Sequence, residues 1–523
     1  MKKYIFLLLV VSVAFGQKNF DKNASKGLSS ITTNDLRSHL TFLSSDELEG
    51  RETTFRGQKV AAQYIASVFR KLGLKPAGKD NSYFQQFELD VVKPSTASSL
   101  RLTSSAGSTT YTFGQDFFTT TTKDTTFSAP LVFGGFMDTP LTPEQETGLM
   151  DRIVVVFAGR RAEVLNPAPS RPRRGAFRVF RSAAAVIMIS DEATQGSIEK
   201  QFKAAANTFE KGSMSLKGSA RRGRGQISVT VSSAVGASLL AELGMPLADL
   251  RMKAVKDSTS GPLQLSKASV TLDLKALHEV KTSENVAAIL EGSDPVLKNE
   301  YVVITAHYDH VGVSAATGEI YNGADDDGSG TSMILELAEA FVTNPAKPKR
   351  SLVFMTVAGE EKGLLGSSYY TQDPLVPLDR TVANLNIDMI GRIDKKHEEA
   401  KSPGYVYVIG SDKISTELDS VLQSANKQTV QLLLDYEYND DNDPNQFYRR
   451  SDHYNFARNG IPIVFFFTGI HDDYHQPTDT VEKIEFDRMV RIGQLIYATA
   501  WKTGNFKRPF VKNGQPSAYS SER

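Results

Sequence analysis

From residue 285 onward, apolar runs of strand length alternate with segments of helical period. The strand-like runs read "NVAAIL", "YVVITA", "SLVFMTVA", "TVANLNID", "YVYVIG" and "IPIVFFF". Helical spacing is carried by "TSMILELAEAFVT", "STELDSVLQSANKQ" and "VEKIEFDRMVRIGQLIYATAWK". This alternation predicts an α/β domain with a mixed, mostly parallel central sheet flanked by helices. Runs so uniformly apolar predict strands buried on both faces.

Open α/β sheets bind ligands beyond the carboxyl ends of their strands, and the acidic and imidazole residues of this chain gather there. His307 follows "VVITA", Glu361 follows "VFMTVAG", Asp388 ends "VANLNI", and His475 lies a short loop after "IPIVFFF". Asp326 lies in the Gly-rich turn "YNGADDDGSG", ahead of a helix starting near Ser329. Two imidazoles and three carboxylates at one sheet edge suit two divalent ions that share a carboxylate. Two such cations with one hydroxide balance three carboxylates, and a neutral cluster is much cheaper to bury than a charged one. Taken singly, each motif is ordinary: a Glu doublet is commonly a solvated helix start, and Asp-Asp-Asp-Gly a turn or an N-cap. Their joint occurrence in matching strand context carries the reading.

Other residues fill the roles that hydrolysis at such a centre needs. Glu360, beside a ligand but facing differently, fits a general base and acid. Asp309, two residues past His307, can accept that ligand's other ring N–H and fix its tautomer. Tyr474, next to His475, is placed to donate to a developing oxyanion. The chain contains no cysteine, which leaves His and carboxylate as metal donors and suits zinc, manganese or cobalt. The 60 basic and 60 acidic residues cancel, so charge offers no argument for nucleic acid or an anionic membrane.

The N-terminus, "MKKYIFLLLVVSVAFGQ", reads as a secretory signal peptide over residues 1–16, too short for a spanning helix. It predicts a periplasmic or extracellular protein without stable membrane insertion. Residues 34–50 and 57–74 read as two helical pieces, the second with Val60, Tyr64, Ile65, Val68, Phe69 and Leu72 on one face and Gly73 as its C-cap. From about 80 to 275, alternating Thr- and Ser-rich stretches predict strands and turns. Two basic loops, 171–181 and 220–225, interrupt that region and read as solvated or partner-facing.

The segments "AHYDHVG", "NGADDDGSG", "AGEEKGLLGS", "NIDMIG", "RSDHYNF" and "DDYHQPTDT", spread over 285–503, together resemble the M28 family of zinc metallopeptidases. The N-terminal "LSSDELEGRETTFRGQKVAAQYIASVFRKLGLKPAG" resembles the opening of its secreted members. The resemblance implies a di-zinc aminopeptidase acting on peptide or protein N-termini. His307 and Asp388 would bind one zinc, Glu361 and His475 the other, with Asp326 bridging and Glu360 as base. It also selects Asp326 from the three aspartates, because the family's bridging residue precedes a cis peptide, here to Asp327. The implied organisation is a leader at 1–16, the N-terminal part of the peptidase domain at 17–125, a mainly-β protease-associated-like insert at 126–260, the catalytic domain at 261–510 and a tail at 511–523.

Neighbouring readings differ in particular residues. A glutamate-releasing carboxypeptidase on the same scaffold needs a basic pocket, for which Arg449 and Arg450 are available. A glutaminyl cyclase, with one zinc, would not need both His307 and Asp388. A non-catalytic receptor usually loses ligands, and none is lost here. "YEYNDDNDPNQFYRRSDHYNF" fails the spacing of a calcium loop and reads as a substrate-side loop. His310 and His453 have no metal role by resemblance and read as structural or supporting.

Overall fold

A computed structural model describes residues 20–138, 141–159, 161, 180–219, 226–256 and 264–514. The leader segment, basic loop 220–225 and nearly all of basic loop 171–181 lie outside the described residues. The chain divides into two compact units, one from 1–87, 282–313 and 319–523, the other from 88–281 with 314–318.

Seven strands of a ten-stranded sheet position the site: β1 (Ala276–Leu290), β2 (Tyr301–His307), β3 (Ser351–Val357), β4 (Thr381–Ile387), β5 (Tyr405–Ile409), β6 (Leu433–Asp435) and β7 (Ile463–Phe467). Their order is β6-β5-β7-β4-β2-β3-β1. The central pairs β3–β2, β2–β4 and β4–β7 are parallel, while β1 and β5 join antiparallel at either side. Every residue of β3, β4, β5 and β7 is buried, as the unbroken apolar runs require. His307 pairs with Val357 in register, so β2 and β3 end at the same level. The connections that follow β2, β3, β4 and β7 therefore leave from one edge.

Helices α1 (Thr33–Leu43), α2 (Arg56–Lys71), α3 (Gly330–Thr343) and α4 (Phe486–Gly504) belong to the first unit. Two sequence expectations are corrected here. The first helical piece stops at Leu43: Ser45 is extended, and a separate 3-10 segment, Asp46–Arg51, follows with positive φ at Glu49, Gly50 and Arg51. That segment carries the Arg51 side chain into the interior. In α2 the buried face is small residues, Gly57, Ala61, Ala62 and Ala66, with Ile65 and Phe69, while Val60 is exposed. Gly73 does adopt positive φ just past the helix end, where it lets Leu74 N–H reach Phe69 O.

The second unit holds an eight-stranded sheet. Strands Thr125–Phe136, Ile153–Phe157, Ala185–Ile189 and Ser228–Val231 run parallel. Strand Gln264–Leu274 pairs with both Thr125–Phe136 and Ser99–Ser104. Those pairings extend the unit beyond the 126–260 read from sequence, to 88 and 281. Short helices at Ile198–Ala204, Ser233–Leu240 and Leu247–Lys256 accompany the sheet.

Glu336 is buried on α3, where one carboxyl oxygen accepts the Thr32 N–H at 2.7 Å and the other has no partner. Burial lifts it to about 8; the Thr32 bond opposes, and nearby Asp35 and Glu339 add to the rise. A carboxyl raised in the folded state makes stability fall as pH rises from about 4.5 toward 8. Thermal unfolding should show that loss in the wild type and a clearly smaller one in Glu336→Gln.

Candidate metal centre

Asp326 is the hub of the site. Its Oδ1 lies 3.2 Å from His307 Nε2, which is itself 3.6 Å from Asp388 Oδ1. Its Oδ2 lies 3.0 Å from His475 Nε2, which is 3.0 Å from Glu361 Oε1. One carboxylate thus faces two pockets with different oxygens. His307, Asp326 and Asp388 form one group of potential donors; His310, Asp326, Glu361 and His475 form the other.

The aspartate turn is held from both sides. Asp479 accepts the N–H groups of Asp325 and Asp326. Asp327 accepts main-chain N–H from His307, Gly330 and Met389, fastening the turn to β2, α3 and the segment after β4. The Gly391 N–H donates to Asp325 Oδ1 at 2.6 Å, and His471 Nε2 meets Asp325 Oδ2 at 3.1 Å. The Asp326–Asp327 peptide is cis. Met389 and His475 have φ of 53° and 54°, a region costly for side-chain-bearing residues and kept only where surroundings impose it.

One expected contact differs. The His307 Nδ1 meets the main-chain oxygen of Asp309 at 3.1 Å, and the Asp309 carboxylate is 3.9 Å away. That carboxylate is engaged by Thr53 Oγ1 at 2.7 Å and by the Glu360 N–H at 3.2 Å. Asp309 still orients the imidazole, through its backbone, and its side chain holds the glutamate doublet instead.

Beneath the turn lies Arg51, fully buried. Its guanidinium donates to the main-chain oxygens of Leu43, Tyr308, Asn322 and Gly323. Burial lowers its pKa while Asp326, Asp327, Asp479 and Asp309 pull it upward. Nothing in the sequence marked Arg51 beyond its place in the opening motif, since its role depends on chain segments far apart.

A cavity opens beside the centre. Its lining includes Glu360, Asp388 and His307 together with the apolar Met389, Phe447, Phe465 and Phe467. Tyr474 and Arg450 also line it, with Arg450 Nη2 3.5 Å from the Tyr474 hydroxyl. Both Arg449 and Arg450 are exposed, and only Arg450 belongs to the lining. The Tyr474 ring stacks on His475 at 3.9 Å between centroids. Phe447 belongs to the acidic 436–456 loop, consistent with its reading as substrate-side.

The residues present fit cations. Asp326 Oδ2, Glu361 Oε1, His475 Nε2 and His310 Nδ1 face one another at 3.0–3.7 Å outside hydrogen-bond geometry, and buried His310 Nε2 has no partner, a costly state unless a bound group completes them. Burial opposes the charged forms, yet the mutual field prevails. Contacts with Asp326 and Glu361 raise His475 to about 10, and contacts with His310 and His475 lower Glu361 to about 2. Glu360 is different: burial, with Glu361, Asp388 and Asp452 nearby, holds its carboxyl well above the usual range despite the opposing pull of His307.

The chain is similar to known proteins over its first unit and beyond. Peptidase family M28 matches residues 285–500. The chain is 28% identical over 299 residues to "Aminopeptidase YwaD" of Bacillus subtilis, covering 54% of this chain and 56% of that protein. It is 32% identical over 209 residues to a "probable leucine aminopeptidase 2" of Aspergillus oryzae, covering 39% and 38%. The chain thus spans about half the length, or less, of these curated relatives. Among solved structures, the aminopeptidase from Aneurinibacillus sp. strain AM-1 matches with TM-score 0.54 at 18% identity, over 92% of this chain and 96% of that one. The zinc aminopeptidase BSAP from Bacillus subtilis gives 0.51 at 21%, over 91% and 97%. Those two likenesses show the fold.

Two measurements probe the centre. In metal-free protein the contribution of Glu361 is complete above about 4.5 and lost toward pH 2, and that of His475 is complete below about 6.5 and lost toward pH 10. Metal must displace protons from imidazole, so stabilisation by added zinc should grow with pH in unfolding scans run with and without chelator. Asp326→Asn and His475→Ala should both lose metal on dialysis. Full occupancy in either would show that these side chains are not donors.

Proposed function

Residues 285–500 belong to peptidase family M28, and from that premise we propose that the chain is an exported di-zinc exopeptidase removing single residues from the N-termini of peptides and proteins. The observation that carries this reading is Asp326, whose two oxygens face separate donor pockets. Two zinc ions held by His307, Asp326, Asp388, Glu361 and His475 would supply Lewis acidity for carbonyl polarisation and water activation.

The chain's own groups do the rest. Glu360, with its carboxyl raised, takes the proton of the attacking water and returns it to the leaving amine. Tyr474 keeps its hydroxyl proton because burial raises it, and donates to the developing oxyanion. In the cavity lining the acidic Glu360 and Asp388 attract a free α-ammonium, and the apolar Met389, Phe447, Phe465 and Phe467 favour an apolar first side chain. Export rests on the leader-like residues 1–16, and the protease-associated-like character of 126–260 belongs to the same proposal. Arg450 at the cavity favours one competing reading, release of a C-terminal residue through its carboxylate.

One peptide in free, N-acetylated and C-amidated forms separates these readings. Loss on acetylation alone, with activity removed by chelator and restored by zinc, is expected. Loss on amidation alone would make the enzyme a carboxypeptidase and point to Arg450. Glu360→Gln should keep both metals and lose about 10²–10⁴-fold in turnover; unchanged turnover would remove Glu360 from the role.

A further inference from the structure

The motif "AHYDHVG" carries two histidines, and the family resemblance gives a metal role only to the first. His310 is completely buried. Its main-chain N–H donates to Arg51 O at 3.2 Å, and its backbone forms a bridge with Glu52. The opening turn of the unit therefore fixes where the imidazole begins. Gly323 fixes where it lies: a Cβ there would stand 2.5 Å from His310 Cδ2 and 2.6 Å from Cγ. A glycine at 323 thus leaves room for a ring pressed against the aspartate turn.

The ring reaches the second donor pocket. His310 Nδ1 is 3.0 Å from Glu361 Oε1 and 3.7 Å from Asp326 Oδ2. His475 Nε2 stands 3.0 Å from each of the same two atoms, and the four potential donor atoms all lie within 4.8 Å of one another. Zinc bonds of about 2.0–2.1 Å arranged tetrahedrally put neighbouring donors roughly 3.3 Å apart, and the four separations bracket that value. The bland reading, a histidine satisfied within the core, leaves Nε2 without a partner and Nδ1 with only the Glu361 carboxylate, outside hydrogen-bond geometry, a costly state for buried nitrogens.

We propose that His310 is a fourth protein donor to the pocket of Asp326, Glu361 and His475, which closes that pocket with protein ligands. The other pocket keeps three, His307, Asp326 and Asp388. Four protein ligands are the pattern of a retained ion, whereas three leave a position open for chemistry. The two ions are then unequal: one is held firmly against the aspartate turn, the other exchanges and faces the cavity. This inference rests on the two-metal reading above.

Its test is titration of chelator-stripped full-length protein with cobalt(II), followed by absorbance and by metal content after dialysis. Wild type should bind two ions in separate steps, the tighter with the strong visible bands of a tetrahedral site. His310→Gln should weaken the tight step by at least about tenfold and alter its bands, leaving the weaker step in place. Wild-type affinities and spectrum in that variant would overturn the proposal. If wild type binds no ion, the two-metal reading falls and takes this one with it. Nitrogen-15 spectra of wild type loaded with zinc need no variant: three metal-shifted imidazoles are expected, and only two would exclude His310.

Discussion

The interaction on which the first unit depends is the repulsion among carboxylates gathered at one buried edge. Asp325, Asp326, Asp327, Glu361, Asp388 and Asp479 all lie within that region, mostly out of water. Burying one uncompensated carboxylate costs several kcal/mol. The fold answers with imidazoles, main-chain N–H groups and one guanidinium, and it leaves a deficit at the centre. Cations fill that deficit best, because they face oxygens and nitrogens that no protein hydrogen bond completes.

How the compensation is distributed explains the architecture. The outer aspartates, Asp327 and Asp479, accept backbone N–H groups and so pin three chain segments together. The middle one is left with both oxygens directed at the pockets. Arg51 adds its positive charge from below while bonding only to carbonyl oxygens. It thereby ties the opening turn to the residues flanking β2 and the aspartate turn, without neutralising any one carboxylate by direct pairing. A direct salt bridge there would compete with the metal for the same oxygens.

The glutamate doublet shows how one environment separates neighbouring groups. Glu361 meets two imidazoles and is held ionised, as a donor must be. Glu360 meets none so closely, is surrounded by other carboxylates and is pushed toward its protonated form. Adjacent residues of one type thus acquire opposite proton affinities, the separation that holding a metal and carrying a proton would require of them.

Strand identity, the parallel core and the gathering of the five expected donors at one edge were legible because each is a local pattern: an apolar run, then a polar residue at its carboxyl end. The sheet places His307, Glu361, Asp388 and His475 at one edge for the reason the alternation implies. The place of His310, the carbonyl of Asp309 as the partner of His307, and the function of Arg51 were not legible. So too the extent of the second unit, which depends on strands at 99–104 and 264–274 pairing across a long separation. By itself the sequence determined which residues would stand at the carboxyl edge, since hydrophobic burial of the runs leaves their ends no other direction. Only the tertiary structure decided which of those residues touch, and through which atoms, because such contacts join segments tens to hundreds of residues apart, at distances where a few tenths of an ångström separate a ligand from a bystander.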